Sequence, residues 1–257
     1  MTMYAEERQQ AIARLVTQRG RVSVNQLAQE YDVTTETVRR DLSTLERLGL
    51  VRRVHGGVVP PASLSLIEAG IRERDRVNPE TKDRIARAAL ERLPAADGSI
   101  LLDAGSTTVR LASLLPSDRA LTVVTHAVPI AAILAGLRHI DLRLLPGRVR
   151  RTTQAAVGAD TVAALTDLRV DVAFLGTNGL TPDFGLTTPD PDEAAVKRAI
   201  VAAGREVVAL ADASKLGVET AVRFASADEV DVVVTDQAAP AAERRALTRA
   251  GIQVVVA

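Results

Sequence analysis

The sequence predicts an α/β protein in two parts: an N-terminal winged helix-turn-helix, then a Rossmann-like, mainly parallel α/β domain. Three observations predict it. Three short helical segments and a Gly-Gly hairpin crowd into the first sixty residues, Pro60-Pro61 interrupts the pattern, and from Glu80 onward Val/Ile/Leu runs alternate with amphipathic helices. A chain of 257 residues is long for one domain and comfortable for two, at roughly 100–200 residues each. The parts expected are 1–59, a linker over 60–79, and 80–257.

The first helix is expected from about Tyr4 to Gln18, with Ala11, Ile12, Leu15 and Val16 on one face and Gly20 ending it. Ser23 followed by Gln26 is a capping box that opens the second helix. Its apolar stripe is Val24, Leu27, Ala28 and Tyr31, at helical spacing. After a turn at Asp32-Val33, Thr34 can cap the third helix, and Glu36 lies in its first turn, where the helix dipole favours a carboxylate. That helix buries Val38, Leu42, Leu45 and Leu48, which leaves Glu36, Arg40, Ser43 and Arg47 on the opposite face, flanked by Thr37 and Arg39. Gly49 ends it, and Gly56-Gly57 can turn a hairpin through Arg52, Arg53 and His55.

Such a helix fits the major groove of DNA. Arg39 and Arg40 can reach phosphates or a guanine edge; Ser23, Thr34, Thr35, Thr37 and Ser43 can donate near the backbone; Arg52, Arg53 and His55 can meet the backbone or minor groove from the wing. The competing reading is a helical bundle with a solvated arginine face. The order of cap, turn, second cap and hairpin favours the DNA reading. Asp41, beside two arginines, is expected to orient one of them or to be a solvated charge.

Composition narrows the remainder. Apolar residues are 47% and aromatics 2%, so Leu, Val, Ile and Ala must build the core. Thirty-two basic residues balance 32 acidic ones, so a claim on nucleic acid rests on local pattern. The absence of cysteine removes disulfides, thiolate nucleophiles and zinc ribbons. No metal and no cofactor is expected. The charged start has no apolar core of a secretory signal, and no apolar run reaches the ~18 residues of a membrane helix. A soluble, cytoplasmic protein with no membrane partner is expected. Lysine occurs only at Lys82, Lys197 and Lys215. A compact ammonium is not replaceable by Arg everywhere, so all three are site candidates, with chance survival an equal reading for any one.

In the second part, strands are expected at Ile100–Leu102, Leu121–Val124, Leu142–Leu145, Val172–Leu175, Val207–Ala211, Val230–Val234 and Ile252–Val256, with helices between them. Residues up to Pro79 read as charged and irregular. Short apolar strands alternating with helices give a parallel sheet covered on both faces, and ligands bind such sheets at the carboxyl ends of the strands. The first strand ends in Asp103-Ala104-Gly105-Ser106-Thr107-Thr108 and a helix then begins, an anion site or simply a helix cap. The other strand ends carry Thr125-His126, Pro146-Gly147-Arg148-Val149-Arg150, Gly176-Thr177-Asn178-Gly179 and Asp212-Ala213-Ser214-Lys215. Glu193 and Lys197 lie on the helix after the Gly185–Asp192 loop. The effector-binding candidates are therefore Asp103, Gly105, Ser106, Thr107, Thr108, His126, Gly147, Arg148, Gly176, Asn178, Gly179, Glu193, Lys197, Asp212 and Lys215.

The segments Val22-Ser23-Val24, Thr37-Val38-Arg39-Arg40-Asp41-Leu42 and Val54-His55-Gly56-Gly57 resemble the N-terminal domain of the DeoR/GlpR family of bacterial regulators. The second part is similar to that family's sensor domain, which in turn resembles ribose-5-phosphate isomerase: Asp103–Thr108 resembles its phosphate loop and Asp212–Lys215 its Asp-x-Ser-Lys motif. The resemblance implies double-stranded operator DNA and a phosphorylated sugar as partners, and a homo-oligomer, dimer or tetramer. GC-rich actinobacterial members often accompany fructose-uptake genes, which implies fructose 1-phosphate. Two departures stand out: Gly147-Arg148 where many members have Gly-Gly, and His126 where they have Asn. The isomerase pattern has acidic residues in the loop that here reads Gly176–Gly179, and Arg-Glu-Lys where Val196-Lys197-Arg198 stands. Phosphate-holding parts are present without proton-moving parts, so a non-enzymatic regulator is expected. An active sugar-phosphate isomerase and a DNA-binding protein with a ligand-free dimerisation domain are the alternatives.

Overall fold

A computed structural model describes residues 5–20, 22–47, 50–54, 57–60 and 70–257. Contacts divide the chain into two compact units, Met1–Ser63 and Leu64–Ala257.

In the first unit the order is α1 (Ala5–Arg19), β1 (Val22–Ser23), α2 (Val24–Glu30), α3 (Thr35–Arg47), β2 (Arg52–Val54) and β3 (Gly57–Val59). The capping box forms: Ser23 Oγ accepts from Gln26 N at 3.1 Å and Gln26 Oε1 accepts from Ser23 N at 2.9 Å. Asp32, in the left-handed region at φ 49°, turns the chain between α2 and α3. Ile12, Val16, Leu27, Val38, Leu42, Leu45, Val51 and Val58 are buried together. The helical periodicity that predicted the elements is thus the periodicity of one core. Leu48, also expected inside, lies outside the described residues. The hairpin gains a third strand: β3 pairs antiparallel with both β2 and β1, Val58 standing opposite Arg53 and Val22.

The second unit runs α4 (Ile71–Arg76), α5 (Pro79–Ala89), β4 (Gly98–Leu102), α6 (Ser106–Ser113), β5 (Leu121–Thr125), α7 (Val128–Leu134), β6 (Ile140–Leu144), β7 (Arg148–Arg150), β8 (Ala155–Val157), α8 (Ala159–Thr166) and β9 (Val170–Gly176). It continues with β10 (Gly179–Thr181), β11 (Gly185–Thr188), α9 (Pro191–Ala203), β12 (Gly204–Leu210), β13 (Val222–Ala225), β14 (Val232–Thr235), α10 (Ala241–Arg249) and β15 (Gln253–Val256). Seven strands form one parallel sheet in the order β15-β14-β12-β9-β4-β5-β6. Successive strand residues enter opposite cores: Ile100 and Leu102 pack with α5, α6 and α7 residues such as Ile85, Leu111 and Ile130, while Leu101 packs with α8 and α9 residues such as Leu165 and Ile200. This two-sided burial explains the uninterrupted apolar runs.

The chain leaves β4 toward β5 and β6 on one side, and β9, β12, β14 and β15 fill the other. The order therefore reverses between β4 and β9, and the crevice at their carboxyl ends is where such sheets take ligands.

Sequence reading missed two features. The ribbon β7-β8 and the small sheet β10-β11-β13 have strands too short for a periodic signal. The stretch read as irregular up to Pro79 contains α4, whose sequence Ile-Arg-Glu-Arg-Asp-Arg has one apolar residue. Its helix is held from outside. Lys82 on α5 donates to the carbonyls of Arg74 and Val77, Arg110 on α6 reaches Asp75, and Ile71 N donates to Thr152 O at 2.8 Å. A helix this short is marginal by propensity alone. Among the described residues no helix is long and apolar enough to cross a membrane.

Candidate nucleic-acid interface and effector site

The first unit presents α3. Thr34 caps it, its Oγ1 accepting from Thr37 N at 3.2 Å and lying 2.9 Å from Thr37 Oγ1. Arg39 and Arg40 are exposed, and Thr35, Thr37 and Ser43 are half-buried beside them. Arg39 lies 3.6 Å from Glu36 one turn back, an exposed pair that water screens. Ser43 Oγ donates to Arg39 O at 2.9 Å. In the cap Ser23 Oγ is an acceptor, which leaves its O–H free to donate. His55 and the side chains of Arg52 and Arg53 lie outside the described residues; the backbones of Arg52 and Arg53 belong to β2.

Asp41 corrects the expectation placed on it. Its side chain is 5% exposed and accepts from Arg8 Nε at 2.6 Å and from Gln9 Nε2 at 2.9 Å, both on α1. It fastens α3 to α1 and leaves Arg39 and Arg40 to the surface. Arg8 lies 33 residues away in the chain, so no local pattern announced the pair.

In the second unit the β4/β9 crevice is closed by a buried knot of charge. Asp103, directly after β4, is fully buried. Its Oδ2 accepts from Lys197 Nζ of α9 and from Gly176 N at 2.9 Å. Lys197 also donates to Gly176 O at 2.9 Å and lies 5.1 Å from the centre of the Phe224 ring. Burial pushes the Asp103 carboxyl up, but the Lys197 ammonium and the His126 and Lys197 hydrogen bonds outweigh it, and its pKa is lowered to about 2. His126 lies with Nε2 3.1 Å from Asp103 Oδ1. Its Nδ1 lies 2.7 Å from Ala156 O, which can only accept, so Nδ1 donates. Nε2 also lies 3.2 Å from Ala104 N; protonated, it donates to Asp103 Oδ1, and unprotonated, it accepts from Ala104 N.

A second cluster sits at the start of α9. Glu193 accepts from Thr153 Oγ1 and from Arg150 Nη1 at 2.5 Å, and Arg150 also meets Asp190 at 3.1 Å. Arg150 was read as part of a strand end but not as a site residue, and Thr153 was not foreseen. Arg148 is exposed and pairs with Asp192 at 2.7 Å. Asp212 accepts from Ser214 N at 2.9 Å, while Lys215 is half-buried. Burial lowers the pKa of Lys82, against the raising field of Asp212 and with that of Lys215, so the lysine on α5 stands near the Asp-x-Ser-Lys turn.

The glycines divide. Gly147 is left-handed at φ +139°, and a Cβ there would clash with Thr161 Oγ1 and lie 2.9 Å from Val157 O. Gly179 packs against Val218 O so closely that a side chain is excluded. Both are required by packing, whatever they do for a ligand. Gly176 would tolerate a Cβ, its nearest atoms being Ala104 O at 3.7 Å and Asp103 Oδ2 at 3.8 Å. Gly105 precedes α6, whose first turn has no side-chain cap; Thr108 Oγ1 donates to Gly105 O at 3.0 Å, while Ser106 and Thr107 make no side-chain hydrogen bond among the described residues. Asn178 N donates to Thr187 O at 3.1 Å.

The profile of the DeoR-like helix-turn-helix domain matches residues 8–63, and that of the DeoR C terminal sensor domain matches 77–237. The chain is 38% identical over 254 residues to the HTH-type transcriptional regulator GlpR of Haloferax volcanii, covering 98% of each. It is 35% identical to the HTH-type transcriptional regulator FruR of Bacillus subtilis, covering 91% of this chain and 92% of the relative. It is 32% identical to the glycerol-3-phosphate regulon repressor of Escherichia coli, covering 98% and 99%. Ribose 5-phosphate isomerase A of Methanocaldococcus jannaschii shares 17% identity over 54% of each chain with a TM-score of 0.40, too low to carry an argument.

Proposed function

Because the chain belongs to the DeoR family of DNA-binding transcriptional regulators, we propose that it represses a sugar-metabolism operon and is released by a phosphorylated sugar such as fructose 1-phosphate, without turning that sugar over. Residues 1–59 grip the operator, 80–257 sense the effector and pair the chains, and 60–79 lie between. The names of the relatives, FruR and the glycerol-3-phosphate regulon repressor, support a phosphorylated carbon source.

The observation that carries the DNA half is the exposed Arg39–Arg40 face of a Thr34-capped α3 followed by a hairpin. A single head reads a single half-site, and repeated half-sites require at least a dimer. A cytoplasmic location follows from that partner.

The carboxylates at the strand ends support sensing over catalysis. A general base must be free to accept a proton at working pH. Asp103 is bonded to Lys197 and has a pKa lowered to about 2, Glu193 is bonded to Arg150 and Thr153, and Asp212 holds the Ser214 amide. An effector releases the operator only through its different affinity for the two states of the protein.

The test pairs two variants. Arg40→Ala abolishes operator binding and keeps effector binding; Lys215→Ala does the reverse. Fluorescence anisotropy on operator DNA and thermal shift with a panel of sugar phosphates read the two activities. Isomerase turnover above background on pentose or hexose phosphates would overturn the sensing half, and equal damage by both variants would overturn the division of labour.

A further inference from the structure

The parallel sheet ends at β6, and among the described residues no strand lies beyond it. Leu121 N donates to His139 O, and Leu145 N donates to Thr125 O. The odd-numbered residues of β6 thus turn their backbone groups to β5, while Ile140, Leu142 and Leu144 turn theirs outward. Ile140 N is taken by Leu137 O at 3.1 Å. The N–H groups of Leu142 and Leu144 and the carbonyls of all three face the open edge, a template for another strand.

The helix beside that edge has no polar side. From Ala127 to Leu137 the chain carries no polar side chain. Ile130, Ala131 and Leu134 of α7 are buried, but Val128, Ala132 and Ala135 are exposed on one side at helical spacing. Pro129 shares a groove wall with α4 and α6 and lies about a third of a turn from Val128 and Ala135. The exposed side is therefore turned from α6 and toward the sheet edge. A helix that is apolar all round is ordinarily covered. Ile140 and Leu142 pack with Ile130 and Leu134, so Leu144 continues the α7 face of β6, where it is 55% exposed.

Charge says what covers this surface. Asp141 and Arg143 stand on the other face of β6, both exposed and 3.7 Å apart. Charges on an edge strand commonly block pairing. One of each sign, placed symmetrically about Leu142, instead selects a single partner, the strand's own two-fold image. With Leu142 on the axis, antiparallel β6 strands set Asp141 of each copy opposite Arg143 of the other. These are non-hydrogen-bonded positions, where side chains come closest. Leu144 meets Ile140 on the α7 face. Leu142 N donates to Leu142 O across the axis and Leu144 N to Ile140 O, so no backbone donor on this edge is left over. A helix spans about two strand spacings, roughly 10 Å. The two copies of α7 then flank the axis at packing distance, and Ala132 and Ala135 allow their close approach.

We propose that two copies of this chain pair through β6 and α7 about a two-fold axis at Leu142, joining their seven-stranded sheets into one. The proposal rests on the reading that residues 80–257 pair the chains, and it names the surface. A closed two-fold contact of this kind matches one patch to itself and supplies the symmetry that a repeated half-site asks for.

The test uses the full chain in sedimentation equilibrium over a concentration series. Wild type associates, and amide exchange at Leu142 and Leu144 is slow in the associated state and faster on dilution. Ala132→Glu alters a residue exposed in the single chain, so the circular dichroism spectrum is unchanged. It sets like charges near the axis and weakens association by about 100-fold. Asp141→Arg and Arg143→Asp each make both facing pairs like-charged and weaken association by about 10-fold. Mixed together, these two chains regain wild-type association, because each then faces its opposite. A mixture no better than either chain alone overturns the strand pairing. Association untouched by Ala132→Glu and by both charge variants gives this surface to another occupant and overturns the proposal, while the pairing reading stands. A wild type that stays monomeric at tens of micromolar, with and without operator DNA, overturns both.

Discussion

Lys197→Met would separate a buried counterion from a ligand-binding lysine. The substitution keeps the length of the side chain and removes its charge, leaving Asp103 fully buried with only Gly176 N and His126 beside it. Removing one partner of a buried pair costs about 3–5 kcal/mol. At roughly 2–4 °C per kcal/mol for a unit of this size, the melting temperature falls by about 6–20 °C. The effect carries a pH signature. In the wild type the Asp103 pKa is lowered from 3.8 to about 2. That shift contributes about 2 kcal/mol at neutral pH. The contribution is fully present above the unfolded value and is lost as pH falls through the folded one. In the variant, desolvation dominates and the folded pKa rises above the unfolded value, so protonation relieves the unpaired charge. The gap between variant and wild type therefore narrows as pH is lowered from about 8 to 4.5. Asp103→Asn added to Lys197→Met removes the stranded charge and returns most of the loss. Circular dichroism melts of the three proteins across that range are the assay. A single variant melting within about 2 °C of wild type, or a double variant no better than the single, would sink the assignment.

Arg8→Met strands Asp41 in the same way and costs the first unit about 3 kcal/mol, whereas Arg39→Met, which loses only an exposed pair with Glu36, changes stability by less than about 0.5 kcal/mol. Equal melts of the two would show that Asp41 is not the fastener. Gly147→Ala forces a Cβ into the Thr161 hydroxyl from a left-handed backbone and costs about 1–3 kcal/mol with no ligand present; an unchanged melting temperature would return Gly147 to a purely ligand-binding role. If Arg39 meets a phosphate, Arg39→Ala reduces the salt slope of operator binding by about 1, measured by anisotropy over a salt series; if it meets a base, sequence preference relaxes and the slope stays.

Much of the fold was legible because its signals are local. Helical spacing in Val24–Tyr31 and Val38–Leu45, the Ser23–Gln26 box and the Thr34 cap each involve residues within one or two turns. The parallel sheet was legible because both of its faces are buried, which makes its strands continuous apolar runs. The strands β7, β8, β10, β11 and β13 escaped because three or four residues carry no period, and α4 escaped because its helix depends on Lys82, Arg110 and Thr152.

Residue types and chain positions were enough to place a helix-turn-helix ahead of a parallel α/β sheet, the exposed arginines on α3 and the gathering of glycines, hydroxyls and charges at one sheet edge. Which charge meets which was decided only in three dimensions. Asp103 and Lys197 lie 94 residues apart and Asp41 and Arg8 lie 33 apart. A buried charge takes whichever opposite charge the packed elements bring within reach, and that choice is made by the sheet order and the helix packing. The same packing leaves the uncharged outer side of α7 beside the open edge of β6, a meeting that no spacing along the chain expresses.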